Sequence, residues 1–239
     1  MALLTLVRHG QASYLADDYD KLSLLGRRQA HVLAQYWLRI GAVFDRVYYG
    51  PARRHTETGE IVADLYREAR VDWPEPVVLP AFDEYAGIEV MRKCLPNLVE
   101  SDPAIQKLEA EFRAAANQNA AFRAYDRLFQ RIMRMWASEQ LHTPDLESWK
   151  CFRERVANCI ETIRTTAPKN GRVVVFTSGG VIGATLGRAL DLAPHNTLEV
   201  SWASRNASFT EFLFSGERFT LSTFNSHPHL QDAELLTYR

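Results

Sequence analysis

The stretch VVVFTSGGVIG, residues 173–183, constrains the fold more than any other part of the sequence. Four apolar residues, three of them β-branched, end at Thr177 and Ser178. Two glycines follow before apolar residues return at a wider spacing. This pattern predicts a buried strand, a tight turn and the first turn of a helix. Because a helix begins directly after the glycines, the turn can present backbone N–H groups to an anion.

Strand and helix patterns alternate along most of the chain, which predicts a sheet covered by helices on both faces. A final pair of alternating segments, joined at Ser215-Gly216, reads as a hairpin. The predicted fold is therefore an α/β class three-layer α/β/α sandwich with a mostly parallel, mixed sheet. The predicted strands are residues 3–7, 46–51, 76–80, 172–176, 197–200, 208–214 and 218–224. The predicted helices are residues 24–40, with Ser23 as the N-cap and Gly41 as the stop, and residues 52–69, 147–165 and 181–190.

Residues 90–140 differ from the rest of the chain because they contain no strand pattern. Apolar and aromatic residues recur there at intervals of three and four, including Ile105, Phe112, Phe129 and Trp136. This spacing predicts an amphipathic helical seam. We expect a single domain, residues 1–239, with a helical insertion at 90–140 that caps the site.

Composition narrows the classes of partner. The chain has 28 basic and 29 acidic residues and a formal net charge of −1, so no overall field attracts nucleic acid or a membrane surface. Three cysteines at irregular spacing fit neither a disulfide framework nor a zinc site. The N-terminus lacks the pattern of a signal peptide, and no apolar run reaches about 18 residues. We expect a cytoplasmic protein with neither a metal nor another cofactor.

Polar residues with matching chemistry follow several predicted strands. Arg8 and His9 follow the first, Arg53 and Arg54 come just after the second, and Glu84 comes just after the third. In such a sheet, ligands bind where parallel strands end. Arginine matches phosphate oxygens in a bidentate way, an imidazole can attack phosphorus, and a carboxylic acid can protonate a leaving oxygen. After the fourth strand, the glycines beginning at Gly179 let backbone N–H groups approach an anion.

Five segments resemble the histidine phosphatase, or phosphoglycerate mutase-like, superfamily. LVRHGQAS (6–13) resembles its Arg-His-Gly signature, and LSLLGRRQA (22–30) resembles the start of its first helix. YYGPARRHTET (48–58) is similar to its second arginine segment, and FDEYAG (82–87) to the stretch with its general acid. VVVFTSGG (173–180) falls where the family has Val-x-His-Gly-Gly. Together the segments occur in the family's order.

The resemblance implies a role for each matching residue. His9 would be the nucleophile that accepts the phosphoryl group, Arg8 and Arg54 would hold its oxygens, and Glu84 would protonate the leaving group. The implied activity is hydrolysis of a phosphomonoester, or of a phosphorylated protein side chain, through a phosphohistidine. The implied partners are a phosphorylated small molecule or a phosphoprotein, and the family needs no metal.

Ser178 departs from the family's pattern, which usually has a second histidine at that position. Two interpretations stay open: Ser178 donates to the phosphate, or it only caps the helix. The second favours an alternative function, a catalytically weak relative that binds a phosphorylated ligand or partner. His227 or His229 could supply the missing imidazole. Further departures, at Gly50, Ala12 and Leu15, argue against a mutase.

Overall fold

A six-stranded mixed sheet forms the middle of the protein in the computed structural model, which describes residues 1–13 and 20–238. Leu15 therefore lies outside the described residues. The strands are β1 Ala2–Arg8, β2 Arg46–Tyr49, β3 Val77–Val78, β4 Arg172–Thr177, β5 Phe209–Ser215 and β6 Arg218–Ser226. Their order is β3-β2-β4-β1-β5-β6. The first four in this order run parallel, and β5 and β6 add an antiparallel hairpin. The predicted mixed sheet is confirmed.

Helices cover both faces of this sheet. In chain order they are α1 Leu24–Arg39, α2 Arg53–Glu68, α3 Gly87–Ser101, α4 Pro103–Arg113, α5 Gln118–Ala137, α6 Trp149–Thr166, α7 Gly179–Leu190 and α8 Pro194–Ala203. One core cluster joins α1 and α2 to one face, and another joins α3 and α5–α8 to the other. The three-layer α/β/α architecture is thus confirmed.

The central strand β4 shows why the sequence pattern identified it. Val173 and Val175 belong to the core cluster beneath α6 and α7, whereas Val174 and Phe176 belong to the cluster beneath α1 and α2. All four side chains are buried. A strand buried on both faces reads as a continuous apolar run.

The predicted strand at 197–200 is wrong, because these residues lie within α8. Pro194 occupies the first turn of that helix, a position where its missing N–H costs nothing. Leu198 and Ser201 are buried at helical spacing, and α8 packs on α7. Tertiary packing overrides the strand preference of the β-branched residues in this short segment.

The predicted helical seam is divided among three helices, α3 to α5. Asp102 caps α4 by accepting hydrogen bonds from the N–H groups of Ala104 and Ile105. Asn117 caps α5 in the same way through the N–H of Ala120. These side chains stabilise helix starts, so the chain forms three shorter helices over residues 87–137 where the spacing suggested one seam.

Candidate active site

The predicted site residues come together at the edge of the sheet where β1 to β4 end. A cleft of about 1160 Å³ is lined by Arg8, His9, Arg54, Glu84 and Gly179. They come from the end of β1, the first turn of α2, the loop after a 3₁₀ turn at Pro80–Phe82, and the start of α7. Residues far apart in the sequence therefore share one opening. Ser178 is buried and reaches this group through Arg54.

His9 is held in one orientation. Its Nδ1 lies 2.7 Å from the carbonyl oxygen of Gly10, which assigns the ring proton to Nδ1 and leaves a lone pair on Nε2. The backbone around it is anchored by the bond from His9 N to Thr177 O, 2.8 Å, and from Gly10 N to Thr58 Oγ1, 3.0 Å. Burial first, and then Arg54 and Arg8, lower the pKa of His9 well below its usual value. A neutral imidazole with a free lone pair can act as a nucleophile.

Two guanidinium groups lie beside the imidazole. Arg8 donates from Nη1 to the carbonyl oxygen of Ser204, and Arg54 pairs through Nη1 with Asp20 Oδ1 at 2.5 Å. Both arginines lower the pKa of His9 and oppose the rise in the pKa of Glu84. Their charges therefore act on both His9 and Glu84, and they could hold the oxygens of a phosphoryl group.

Glu84 lines the same cleft and lies against the N-terminus of α7. Its Oε2 accepts a hydrogen bond from Gly180 N at 3.0 Å, and its Oε1 accepts one from Tyr85 N at 3.0 Å. A Cβ atom at Gly180 would lie 1.9 Å from Oε1, so only glycine permits this approach. Removal from water raises the pKa of Glu84 above its usual value despite these hydrogen bonds. A carboxyl group that holds its proton to higher pH suits a general acid.

Ser178 does not cap α7 with its side chain, although it occupies the N-cap position in the backbone. Its Oγ lies 2.5 Å from His55 Nε2 and accepts from Arg54 Nη2 at 3.4 Å. The interpretation of its hydroxyl as a plain helix cap is therefore wrong.

An imidazole beside the site comes from α2 rather than from the C-terminal segment. The His55 and His9 rings are 5.6 Å apart between centroids. His227 instead bonds to Arg205, and His229 bonds to the carbonyl oxygen of Ala207. Sequence reasoning gave His55 no part in the site. The available signal was the joint departure at Gly50 and Ser178, since both lie against His55.

Known structures share this fold. A mutant phosphoserine phosphatase from Entamoeba histolytica in complex with phosphoserine has a TM-score of 0.57 at 17% identity. The alignment covers 96% of this chain and 100% of that one. A putative α-ribazole-5′-phosphate phosphatase from Escherichia coli has a TM-score of 0.62 at 19% identity, over 95% and 97%. A mycobacterial glucosyl-3-phosphoglycerate phosphatase has a TM-score of 0.59 at 19% identity, over 95% and 99%.

A search of curated protein sequences finds no match. In the described part of the chain, no helix has the length and apolar character to cross a membrane. The same residues contain no grouping of three or more acidic, histidine or cysteine side chains suited to a metal ion.

Sequence comparison places the chain in a family. The sequence model of the histidine phosphatase superfamily, branch 1, matches residues 108–227, a range that includes Ser178 and Gly179. The chain belongs to the histidine phosphatase superfamily.

Proposed function

We propose that the protein is a phosphatase that hydrolyses a phosphomonoester through a phosphohistidine on His9. The supporting observation is that one cleft brings together a neutral imidazole, two arginines and a carboxyl group of raised pKa. Family membership supports the same class of reaction. The substrate is a phosphorylated small molecule or a phosphorylated protein side chain.

The first half-reaction transfers the phosphoryl group to the enzyme. The lone pair on His9 Nε2 attacks phosphorus, and the bond to the ester oxygen breaks as the P–N bond forms. Glu84 gives its proton to that departing oxygen, so the product leaves as a neutral alcohol. Arg8, Arg54 and the N–H of Gly179 bind the equatorial oxygens, where charge accumulates in the transition state.

The second half-reaction restores the enzyme with water. Glu84, now a carboxylate, takes a proton from a water molecule as the water oxygen attacks the phosphorus. The P–N bond breaks, its electron pair returns to His9 Nε2, and inorganic phosphate leaves. The same group is thus acid in one step and base in the next, as microscopic reversibility requires.

The helical insertion covers the cleft in this proposal, within one domain of residues 1–239. The support is that α5 contributes Phe122, Tyr125 and Phe129 to the lining. In this proposal the leaving group of the ester extends toward these aromatic side chains. The insertion therefore contacts the part of a substrate that differs between phosphomonoesters.

Rapid-quench labelling tests the nucleophile. The protein is mixed with a ³²P-labelled ester, quenched in alkali and digested, because a phosphoryl group on histidine nitrogen survives alkali and is lost in acid. We expect label in the peptide that contains His9, and none in the His9→Ala variant. Tyr66→Phe, which loses a buried hydrogen bond to Ala42 O elsewhere on α2, should label normally. Equal labelling of the His9→Ala variant would exclude this nucleophile.

A second function has one observation in its favour. Because residue 178 is serine, the site has one cation fewer than the family pattern provides. The protein would then bind a phosphorylated ligand or partner and turn it over weakly or not at all. Tight vanadate binding with no labelling of His9 would support this alternative over the phosphatase.

A further inference from the structure

His55 is a buried imidazole next to the proposed phosphate site. Its side chain is inaccessible to solvent, and its Nε2 is 2.5 Å from the Ser178 hydroxyl oxygen. Burial and the neighbouring Arg54 lower its pKa well below the usual value, so the ring is neutral. The steps proposed above use His9, Glu84 and the arginines, and they give this ring no part.

Two departures from the family pattern meet at this ring. A Cβ atom at residue 50 would lie 2.4 Å from His55 Nδ1, so the ring has its space because residue 50 is glycine. A serine at 178 is short enough to leave Nε2 its present position and supplies the hydroxyl that it contacts. One departure gives the imidazole its space, and the other gives it a partner. The two substitutions therefore fit a single change in the site.

The Ser178 hydroxyl oxygen contacts two polar side-chain atoms of described residues. Oγ accepts from Arg54 Nη2 at 3.4 Å, and with the ring proton of His55 on Nε2 it also accepts from that nitrogen at 2.5 Å, which leaves the single hydroxyl hydrogen for a phosphate oxygen. A hydroxyl hydrogen rotates freely unless its neighbours fix it. With the ring in place, the hydroxyl is held beside Arg54, next to the N–H groups at the start of α7.

We propose that His55 is a positioning residue: it fixes the Ser178 hydroxyl beside Arg54, so that a serine and an imidazole together replace the family's usual second histidine. The proposal rests on the proposed function, since the hydroxyl is useful only where a phosphoryl group binds. It also predicts that Ser178→His alone is harmful, because His55 already fills the adjoining space.

A double-mutant cycle on aryl phosphate hydrolysis and vanadate affinity tests this role. Ser178→Ala should lower kcat by about 10- to 100-fold, since a hydrogen bond to a charged group is lost. His55→Ala should lower kcat by a similar or smaller factor and leave KM nearly unchanged. The double variant should be within about twofold of Ser178→Ala, because His55 acts only through that hydroxyl. His55→Gln, whose amide can still reach the hydroxyl, should recover part of the loss.

The controls separate positioning from stability and from failure of the proposed function. Tyr66→Phe removes a buried hydrogen bond from the same helix and should change stability but not kcat. Multiplicative losses in the double variant, or an unaffected His55→Ala, would overturn the role of His55 alone. A wild-type protein that neither hydrolyses the ester nor binds vanadate would overturn the proposed function and this role with it.

A second inference comes from the charges that line the cleft. Among the described residues, the basic side chains there are Arg8 and Arg54, both at the phosphate end. The other acidic lining residues are Asp83, Glu89 and Asp126, since Glu84 is the proposed proton donor and Asp20 pairs with Arg54. A second anionic group on the substrate would therefore face carboxylates without a further cation in this part of the lining.

Aromatic side chains supply much of the remaining wall. They are Tyr85, Phe122, Tyr125, Phe129, Trp202 and Tyr238. A volume of about 1160 Å³ is far larger than a phosphate needs. Apolar and aromatic walls bind apolar groups, and misplaced charges exclude anions.

We infer that the leaving group of the proposed phosphatase reaction is apolar or aromatic, and neutral or cationic. The inference depends on the proposed function and specifies its substrate class. Esters that carry a second phosphate or a carboxylate are disfavoured.

Matched aryl phosphates test this class. The compounds are 4-ethylphenyl, 4-(carboxymethyl)phenyl and 4-(2-aminoethyl)phenyl phosphate, in which an aliphatic carbon insulates the phenol oxygen from the charge. We expect kcat/KM for the carboxylate to be at least 10-fold below the ethyl compound, and the ammonium to equal or exceed it. The double variant Glu89→Gln/Asp126→Asn should reduce the discrimination, whereas Glu68→Gln, at the exposed far end of α2, should not.

Two outcomes would contradict the proposals, and each would contradict a different one. Equal or faster hydrolysis of the carboxylate would overturn the substrate class while leaving the phosphatase proposal intact. Failure of all three esters, with His9 unlabelled, would count against the phosphatase itself.

Discussion

The buried histidines make stability depend on pH in a way that can be calculated for His55. Its pKa is lowered in the folded state, so the unfolded chain binds more protons below about pH 6.5, and stability falls as the pH falls through that value. At pH 5.5 an unfolded histidine gains about 1.4 kcal/mol from protonation, against less than about 0.1 kcal/mol at pH 7.5. His9 and His229 are buried with lowered pKa values too, the latter at about 4. Acid should therefore destabilise the wild-type protein through all three.

The His55→Gln variant isolates one of these contributions. Urea unfolding of wild type and variant at pH 7.5 and 5.5 gives the difference in their free energies of unfolding at each pH. Because every other titrating group is common to both proteins, the difference should shift by about 1.3 kcal/mol in favour of the variant at pH 5.5. For a chain of this length, that is roughly 3–5 °C in Tm. Tyr66→Phe should show no such shift. An unchanged difference for His55→Gln would mean that His55 is protonated in the fold, and the neutral buried ring would be refuted.

Two further predictions concern Glu84, the proposed general acid. Glu84→Gln should slow alkyl phosphates by about 10²–10⁴-fold and aryl esters with good leaving groups far less. It should also remove the alkaline fall in kcat that the deprotonation of Glu84 causes in wild type. Equal slowing of both ester classes would contradict the role of Glu84. Gly180→Ala places a Cβ 1.9 Å from Glu84 Oε1 and should displace the carboxyl group. Alkyl phosphate turnover should fall while isothermal titration shows vanadate affinity retained, and unimpaired turnover would show that the Gly180 contact is not needed.

Much of the fold is readable from the sequence because β4 is buried on both faces and its neighbours alternate with amphipathic helices. The polar residues after these strands predict one meeting place, since parallel strands end at the same edge. The strand predicted at 197–200 is wrong because four residues are too few to distinguish a strand from a buried helix. Packing on α7 favours the helix there.

His55 could not be identified in the same way. A histidine in the first turn of a helix has no pattern that distinguishes a buried ring from a solvated one. Its environment depends on Gly50 and Ser178, which lie 5 and 123 positions away in the sequence. Only the folded arrangement shows that these three positions act together. The same limit applies to the helical insertion, because its apolar spacing predicts helices but does not show which aromatic residues line the cleft.

The position of β1 has a consequence for synthesis of the chain. This strand, which leads directly to His9, pairs with β4 and β5, whose residues begin at Arg172 and Phe209. At roughly 5–20 residues per second, the ribosome takes about 10–40 s to add the residues between β1 and the end of β5. Until β4 has been made, β1 has neither partner strand, and until β5 has been made it has only one, so this apolar strand is a candidate for chaperone capture. The nucleophile thus follows a strand that is made well before the two strands that pair with it.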